Sequence, residues 1–349
     1  MFTKTKLTAM ATALLISALT FASCAADGET ESAATVKAVQ KSPAETTAEA
    51  FVETVVEQVV PIVDIAPEPV QLVTKIADMV VEGPKLFAVC EGGVITYDFS
   101  DKSHTVVAAN DDFRAVTIHD SVVYVGGRHL YQFDGAMLKK LDVEMGADIT
   151  CLYSYGDRLM VGTAQGLYSH DGTTSDLLMD DVFVSAMVAD ESGLWVGSDG
   201  QGLYRWDGDD FNKRYLLRDQ TMFDSVNTLD YNHEHLYVGT TRGMHVYDGG
   251  RWETITTAEG LPSNNVRTID ASAWVVYAGT EEGVVSYFGG DLRPVKKLAD
   301  KKVNSLSRRG RRLIVATDYE GILRQSSSSL KVLVPPVLDT TMDILSLIP

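Results

Sequence analysis

The sequence predicts an all-β fold: a β-propeller of about seven four-stranded blades, preceded by a signal peptide, a linker and a short amphipathic helix. Three observations predict it. An apolar strand ending in small residues recurs as LFAVC at 86–90, VYVGG at 123–127, LMVGT at 159–163, LWVGS at 194–198, LYVGT at 236–240, VYAGT at 276–280 and LIVAT at 313–317. Ten residues ahead of each copy stands an apolar residue (Ile76, Phe113, Ile149, Val184, Val226, Val266, Val303), and three residues after it another (Met79, Val116, Leu152, Met187, Leu229, Ile269, Leu306). Behind the recurrent strand come a Gly-containing turn and a further strand ending on Asp-Gly, as in GLYSHDG at 166–172, GLYRWDG at 202–208 and GMHVYDG at 243–249. Asp-Gly supplies the positive φ that a two-residue hairpin requires. The fixed offset makes each unit a short inner strand, the recurrent strand, a third and a fourth. Such units cannot bury their faces alone, but stacked in a ring they can. No helical period lies between them, which excludes parallel βαβ architectures.

Residues 1–23 read as a leader. Lys4 and Lys6 precede an apolar stretch over 7–22 that is too short for a stable membrane span and ends in Phe21-Ala22-Ser23-Cys24. This end resembles the bacterial lipobox, in which a cysteine behind small residues is acylated and becomes the new N-terminus. Cys24 is the expected lipidation site, with Phe21 in place of the usual leucine. The other reading is an ordinary signal peptide cut near Ala22-Ser23 or Ala25-Ala26. Several acyl chains anchor a protein firmly without a transmembrane helix, and no later segment is long and apolar enough to span a membrane. Ala25 rather than Asp after the cysteine, by resemblance to enterobacterial sorting rules, implies the bacterial outer membrane, facing the periplasm or the cell surface.

Residues 24–70 read as an acidic tether, and 71–349 as the propeller. Within the tether, Ser42-Pro43-Ala44-Glu45 forms a capping box. Phe51, Val52, Val55, Val56, Val59 and Val60 then recur at helical spacing up to Pro61, so a helix is expected over about 43–60. Docking on its own propeller is favoured over a partner-binding or membrane-surface helix, since its acidic polar face argues against an anionic membrane. At the far end, Met342-Asp343-Ile344-Leu345 repeats the inner-strand pattern with no recurrent strand after it. Residues 342–347 are expected to close the ring by completing a blade begun at the other terminus. Residues 76–80 compete for the same place, and an incomplete eighth blade stays open.

The formal charge is −18, and removal of the leader leaves 28 bases against 48 acids. Such a chain repels nucleic acid and anionic lipid surfaces and suits cationic or neutral partners. Cys90 and Cys151 sit in apolar strands two blades apart, and are expected as buried thiols rather than a disulfide.

The units VADESGLWVGSDGQGLYRWDG (188–208) and VNTLDYNHEHLYVGTTRGMHVYDG (226–249) resemble the two-component regulator propeller repeat. The resemblance covers about 76–335 and is strongest from 155 to 290. It implies an extracytoplasmic sensor or binding module. With no transmembrane helix and no kinase segment in the sequence, only the binding role carries over. A looser similarity, to propeller lipoproteins that scaffold the outer-membrane barrel-assembly machine, rests on the lipobox and the Gly-marked strand.

No GxSxG, HExxH or P-loop pattern occurs. His233-Glu234-His235 with His245 is the one histidine cluster, and alternation along strands sends its members to different faces. These are expected as exposed turn histidines rather than a zinc site. Asp134, Asp171, Asp207 and Asp248 read as turn residues, and Tyr124, Trp195 and Tyr237 as packing. The chain is therefore expected to bind and not to catalyse. The alternative is a propeller lyase or hydrolase with its site at the central mouth.

Candidate binding residues fall in two loop sets expected to share one mouth. Between the second and third strands lie Asp199, Gln201, Arg242 and Glu281; entering the inner strands lie Asp112, Asp148, Asp224, Asn264 and Asn265. This face reads as acidic. It suits a cationic peptide, a basic protein or a small ligand, and its oxygen ligands suit calcium; no other cofactor is implied. The two longest loops, 218–225 and 257–265, carry Met222, Phe223, Leu261 and Pro262, and exposed apolar residues there predict a protein contact.

Overall fold

Short apolar strands punctuated by Gly and Asp-Gly fold as up-and-down sheets. In the computed structural model, which describes residues 70–73, 75–208, 211, 213–215, 225–232 and 234–340, each repeat is one antiparallel sheet with its strands in chain order. The expected lipidation site Cys24, the helix over 43–60, Met222, Phe223, Asp224, His233 and the segment 342–347 lie outside the described residues.

Blade two shows the pattern: Ala115–His119, Val122–Gly126, Leu130–Phe133 and Leu138–Lys140. The other inner strands are Ile76–Glu82, Ile149–Tyr155, Val184–Asp190, Val226–Asn232, Val266–Asp270 and Val303–Arg309. Each inner strand touches the next, and the seventh touches the first, so seven blades close a ring. In blade one the second and third strands run on as Lys85–Asp98. This stretch folds back at Gly92 (φ 80°), because the Phe99 N–H donates to Pro84 O at 2.8 Å and sets its two ends side by side.

The ring closes differently from the expectation. Residues 76–82 are the inner strand of blade one, and blade seven has its own fourth strand, Leu330–Val334, so neither blade borrows a strand from the other terminus. The two ends of the domain meet instead as a separate antiparallel pair, Val70–Val73 with Val337–Thr340.

The apolar residues form seven clusters, and each straddles one blade junction. Each fully buried Val or Leu contributes about 1.5–3 kcal/mol relative to exposure. Tyr124, Trp195 and Tyr237 are buried in these clusters, as their strand positions predict. The recurrent glycine is explained here. A Cβ on Gly126, Gly162, Gly197, Gly239 or Gly279 would lie 2.5–2.8 Å from a γ-carbon of Ile149, Val184, Val226, Val266 or Val303, the first apolar residue of the next blade. Only glycine lets neighbouring sheets approach this closely. The threonine behind it secures the turn that follows. The hydroxyls of Thr163, Thr240 and Thr280 donate to the carbonyls of Gly166, Gly243 and Gly283 at 2.9–3.0 Å.

Candidate functional site

The site begins with an irregularity in the inner strands. In six blades the pairing register slips by one residue just behind the first apolar position. The extra residue is Ala77, Thr150, Ser185, Asn227, Arg267 or Asn304. A bulge re-aims its side chain out of the ordinary pleat. Blade two pairs regularly from Ala115, with Arg114 immediately ahead of it. These seven residues line one cavity of about 580 Å³, together with Asp78, Cys151, Thr228, Thr268 and Ser305 from the following position. All seven blades thus contribute to the cavity through the same two places of the repeat.

The wall is also a girdle of bonds between blades. The Thr150 hydroxyl donates to Val184 O. Asn227 Nδ2 donates to Val266 O and to Asn265 Oδ1, both at 2.9 Å. Asn304 Nδ2 donates to Ile76 O at 2.9 Å and to Asp318 Oδ1 at 2.5 Å. Asp78 accepts the Val116 N–H at 3.1 Å, the Met79 N–H at 2.8 Å and the Ser305 hydroxyl at 3.3 Å. Burial nevertheless raises the Asp78 carboxyl to a pKa of about 6, against the pull of those bonds. Burial also pushes the Cys151 thiol up to about 12, so it stands on the wall protonated and without thiolate character at neutral pH. Three buried polar atoms of this wall, Ser185 Oγ, Arg267 Nε and Asn304 Oδ1, have no hydrogen-bond partner among the described residues. Buried polar groups are ordinarily satisfied, so these atoms are free to bond a group that enters the cavity.

The two predicted loop sets do share this mouth: Asp199 and Thr241 come from one, and Phe183, Ser225 and Asn265 from the other. Asp199 accepts the Ser225 hydroxyl. The remaining candidates are placed differently. Gln201 braces the rim, donating to Asp181 O at 3.0 Å and accepting the Tyr204 hydroxyl at 3.0 Å. The Arg242 N–H donates to Thr240 Oγ1, and Asn264 Oδ1 accepts the Thr257 N–H within its own loop. Neither Arg242 nor Asn264 lines the cavity.

Some of the carboxylates on this acidic face are set against cations. Asp112 and Asp148 are brought together, but around the Arg114 guanidinium, at 3.0 and 3.5 Å. Glu281 meets Arg267 at 3.4 Å and Lys302 at 3.8 Å. Asp318 meets Lys302 at 3.0 Å, and Glu320 meets Lys301. The cations enter from the inner strands and the loops ahead of them, positions that a count of loop carboxylates leaves out. Among the described residues no group of three or more His, Cys, Asp or Glu side chains is gathered to hold a metal ion.

Two further expectations change. Leu261 is not exposed; it is buried with Val266, Ile269 and Val276 at the junction of blades five and six. His245 is also buried, its Nδ1 3.0 Å from Thr254 Oγ1. The turn aspartates behave as read: Asp134 Oδ1 accepts two backbone N–H groups at 2.8 Å, and Asp171 and Asp248 repeat the arrangement. The wall residues were the ones missed. Their signal was available as the two variable places inside apolar-x-x-apolar, which read Ala-Asp, Arg-Ala, Thr-Cys, Ser-Ala, Asn-Thr, Arg-Thr and Asn-Ser around the ring.

Fold and site together define a seven-bladed β-propeller with a ligand-sized axial cavity. No family model and no curated protein matches the chain. Solved structures match it at the level of the fold. The WD40 β-propeller domain of Doa1 is 15% identical with a TM-score of 0.59, covering 73% of this chain and 93% of that one. YCF48, in a structure bound to a D1 peptide, is 13% identical with a TM-score of 0.59, covering 75% and 95%. BamB from Moraxella catarrhalis is 14% identical with a TM-score of 0.53, covering 78% and 91%.

Proposed function

We propose that this protein is a non-catalytic binding module, held outside the cytoplasm by lipid on Cys24 and receiving a segment of a partner protein at the propeller mouth. One observation carries the reading: seven equivalent inner-strand positions converge on a single cavity of about 580 Å³ whose wall keeps three polar atoms unpartnered among the described residues. The wall offers amides and hydroxyls, and its two arginines, Arg114 and Arg267, are each already paired with carboxylates. Such a wall suits the alternating donors and acceptors of a peptide better than a single strong ion. A peptide also occupies YCF48, a propeller of the same architecture. The repeat's resemblance to the two-component regulator propeller supports the same extracytoplasmic binding role.

An enzyme reading draws on Asp78, a carboxyl with a raised pKa inside a cavity. That carboxylate already serves Val116, Met79 and Ser305, and the neighbouring Cys151 thiol is held protonated. Both are structural uses.

The test is photo-crosslinking in intact cells from position Phe183 at the mouth, against position Met137, which is 68% exposed on blade two. Crosslinks to one polypeptide from Phe183 and none from Met137 support the reading. Equal labelling from both, or none from Phe183, overturns it. Cys24→Ser is expected to move the chain from the membrane fraction to the soluble one; unchanged partition removes the lipid anchor from the proposal.

A further inference from the structure

We infer that blade seven carries a phosphate-binding patch, formed by Arg311, Arg312, Arg324 and Lys331 around the serine turn 326–329. The inference is independent of the axial cavity. The pairing of blade seven puts Lys331 directly opposite Arg324, and Arg324 directly opposite Ile314. Arg312 stands two residues before Ile314, so alternation puts all three cations on one face of the sheet. Arg311 precedes Arg312 in the adjoining turn. With Ser326 to Ser329 these four cations line a recess of about 410 Å³ that contains no carboxylate. The turn itself is braced, with Ser326 Oγ 2.8 Å from Ser329 Oγ.

The contrast with the rest of the blade is the argument. Lys301, Lys302 and Arg308 each meet a carboxylate (Glu320, Asp318 at 3.0 Å and Asp270 at 3.7 Å), and Arg309 is taken up by Gly83 O and the Phe99 ring. Among the described residues, no carboxylate meets Arg311, Arg312, Arg324 or Lys331. Like charges directly opposite on neighbouring strands destabilise a sheet. In a chain with 48 acids, four cations gathered in one recess without a carboxylate are set against the overall charge. The missing counter-charge is what a phosphate group supplies: guanidinium forks match its oxygens and serine hydroxyls add donors. The net charge of −18 does not forbid this, since exposed charges more than a Debye length away, about 10 Å in 0.1 M salt, are largely screened. The phosphate group is common to lipid headgroups and to small free phosphates.

The experiment uses the full chain with Cys24→Ser, so that acyl chains add no membrane binding. One arm measures co-sedimentation with phosphatidylglycerol vesicles, with phosphatidylcholine vesicles as control. A second measures the thermal midpoint with and without pyrophosphate. Each basic side chain near an anionic surface is worth about 1 kcal/mol, so Arg312→Gln with Lys331→Gln is expected to weaken vesicle binding roughly 25-fold. Lys139→Gln with Lys140→Gln, the same charge change on exposed residues of blade two, is expected to leave it nearly unchanged. Vesicle binding lost in the first variant assigns a lipid headgroup. A pyrophosphate shift lost in that variant assigns a soluble phosphate. Lys331→Gln alone separates binding from folding, because relief of the contact with Arg324 is expected to hold or raise the midpoint. Absence of both signals, or equal loss in both double variants, overturns the patch. Binding of a short DNA duplex with neither other signal overturns it as well.

Discussion

Five blade junctions, from two–three to six–seven, are alike, and the two that flank blade one are not. The five use a glycine that lets the next blade's Ile149, Val184, Val226, Val266 or Val303 close to within side-chain contact. At seven–one the same position is Ala316, packed in a cluster with Ile76; at one–two it is Val89, packed with Phe113. The closing region repeats one interior bond, from Asn304 to Ile76 O as from Asn227 to Val266 O, and adds others that the interior junctions lack. Asn304 reaches Ile76 O, Ser305 reaches Asp78, Arg309 reaches Gly83 O, and Val70–Val73 pairs with Val337–Thr340. A repeat therefore encodes its interior junctions by repetition. Its closure needs singular residues, because there two chain ends meet that share no covalent connection.

The sharpest break of this comparison is Gly197→Ala against Ala316→Gly. The added Cβ would sit 2.5 Å from Val226 Cγ1, and overpacking of this kind costs about 3 kcal/mol. Ala316→Gly removes a methyl and frees backbone, at about 1 kcal/mol. Denaturant unfolding measures both. Equal costs, or a gain from Ala316→Gly, would mean that the closing junction wants glycine too. Next in size is Asn304→Ala, expected to cost about 2 kcal/mol because Asp318 and Ile76 O lose a buried donor. Amide exchange should quicken in blades one and seven and stay slow in blades three to five. Uniform quickening would show that closure and interior open as one unit.

The same comparison shows why some features were legible in the sequence. Seven offsets of ten residues exposed the blades, and Asp-Gly exposed the hairpins, because these features recur and have local causes. The mouth was legible as a pair of loop sets, since loop positions follow from strand order. Its walls were not read, because Thr150, Asn227 and Asn304 sit inside strands and reach the axis only through a bulge that leaves no fixed residue type. Charge compensation was missed for a related reason. Arg114 lies two residues from Asp112 but 34 from Asp148, and only the ring brings the three together. Closure stayed open in the sequence because a fragment resembling an inner strand, at 342–347, competed with 76–80, and no local signal ranks them. Leu261 was expected at the surface because it lies in a long loop, yet long loops bury their own apolar residues against the sheet below.

Asp78 ties the two junctions of blade one together, which sets a pH test of intermediate size. Its folded pKa of about 6 lies above the ordinary aspartate value of 3.8, so the native ring binds a proton more readily than the unfolded chain does. The ionised carboxylate therefore costs stability above about pH 6, and that cost disappears as the pH falls toward 4. Relative to Asp78→Asn, the wild type is expected to gain about 2 kcal/mol between roughly pH 7 and pH 4. Asp230 gives a control inside the ring, because its carboxyl is also raised to about 6 by burial and it accepts the Ala271 N–H of blade six at 2.6 Å. A similar pH gain at Asp230, with amide exchange altered only in blades five and six, would place the two aspartates at separate junctions. A flat difference at Asp78 would mean that its carboxylate stays solvated.

The smallest expected effect concerns the outer edge of the closure. Arg309 stacks over Phe99 at 4.2 Å and donates to Gly83 O from Nη2 at 3.2 Å and from Nε at 3.3 Å, so one side chain of blade seven grips the first hairpin of blade one. Inside blade four, Arg205 stacks over Trp195 at 4.4 Å in the same way, but there it also meets Asp190 at 2.6 Å in a half-buried setting. A cation over an aromatic ring near solvent is worth about 0.5–1 kcal/mol, and more when desolvated. Arg309→Ala is therefore expected to cost about 0.5 kcal/mol and Arg205→Ala about 2 kcal/mol, the second because Asp190 loses its cation as well. Arg309→Lys should recover little, since an ammonium cannot reproduce the planar stack. A cost at Arg309 as large as that at Arg205 would show that the outer edge, rather than Asn304 at the axis, carries the seal between the first and last blades.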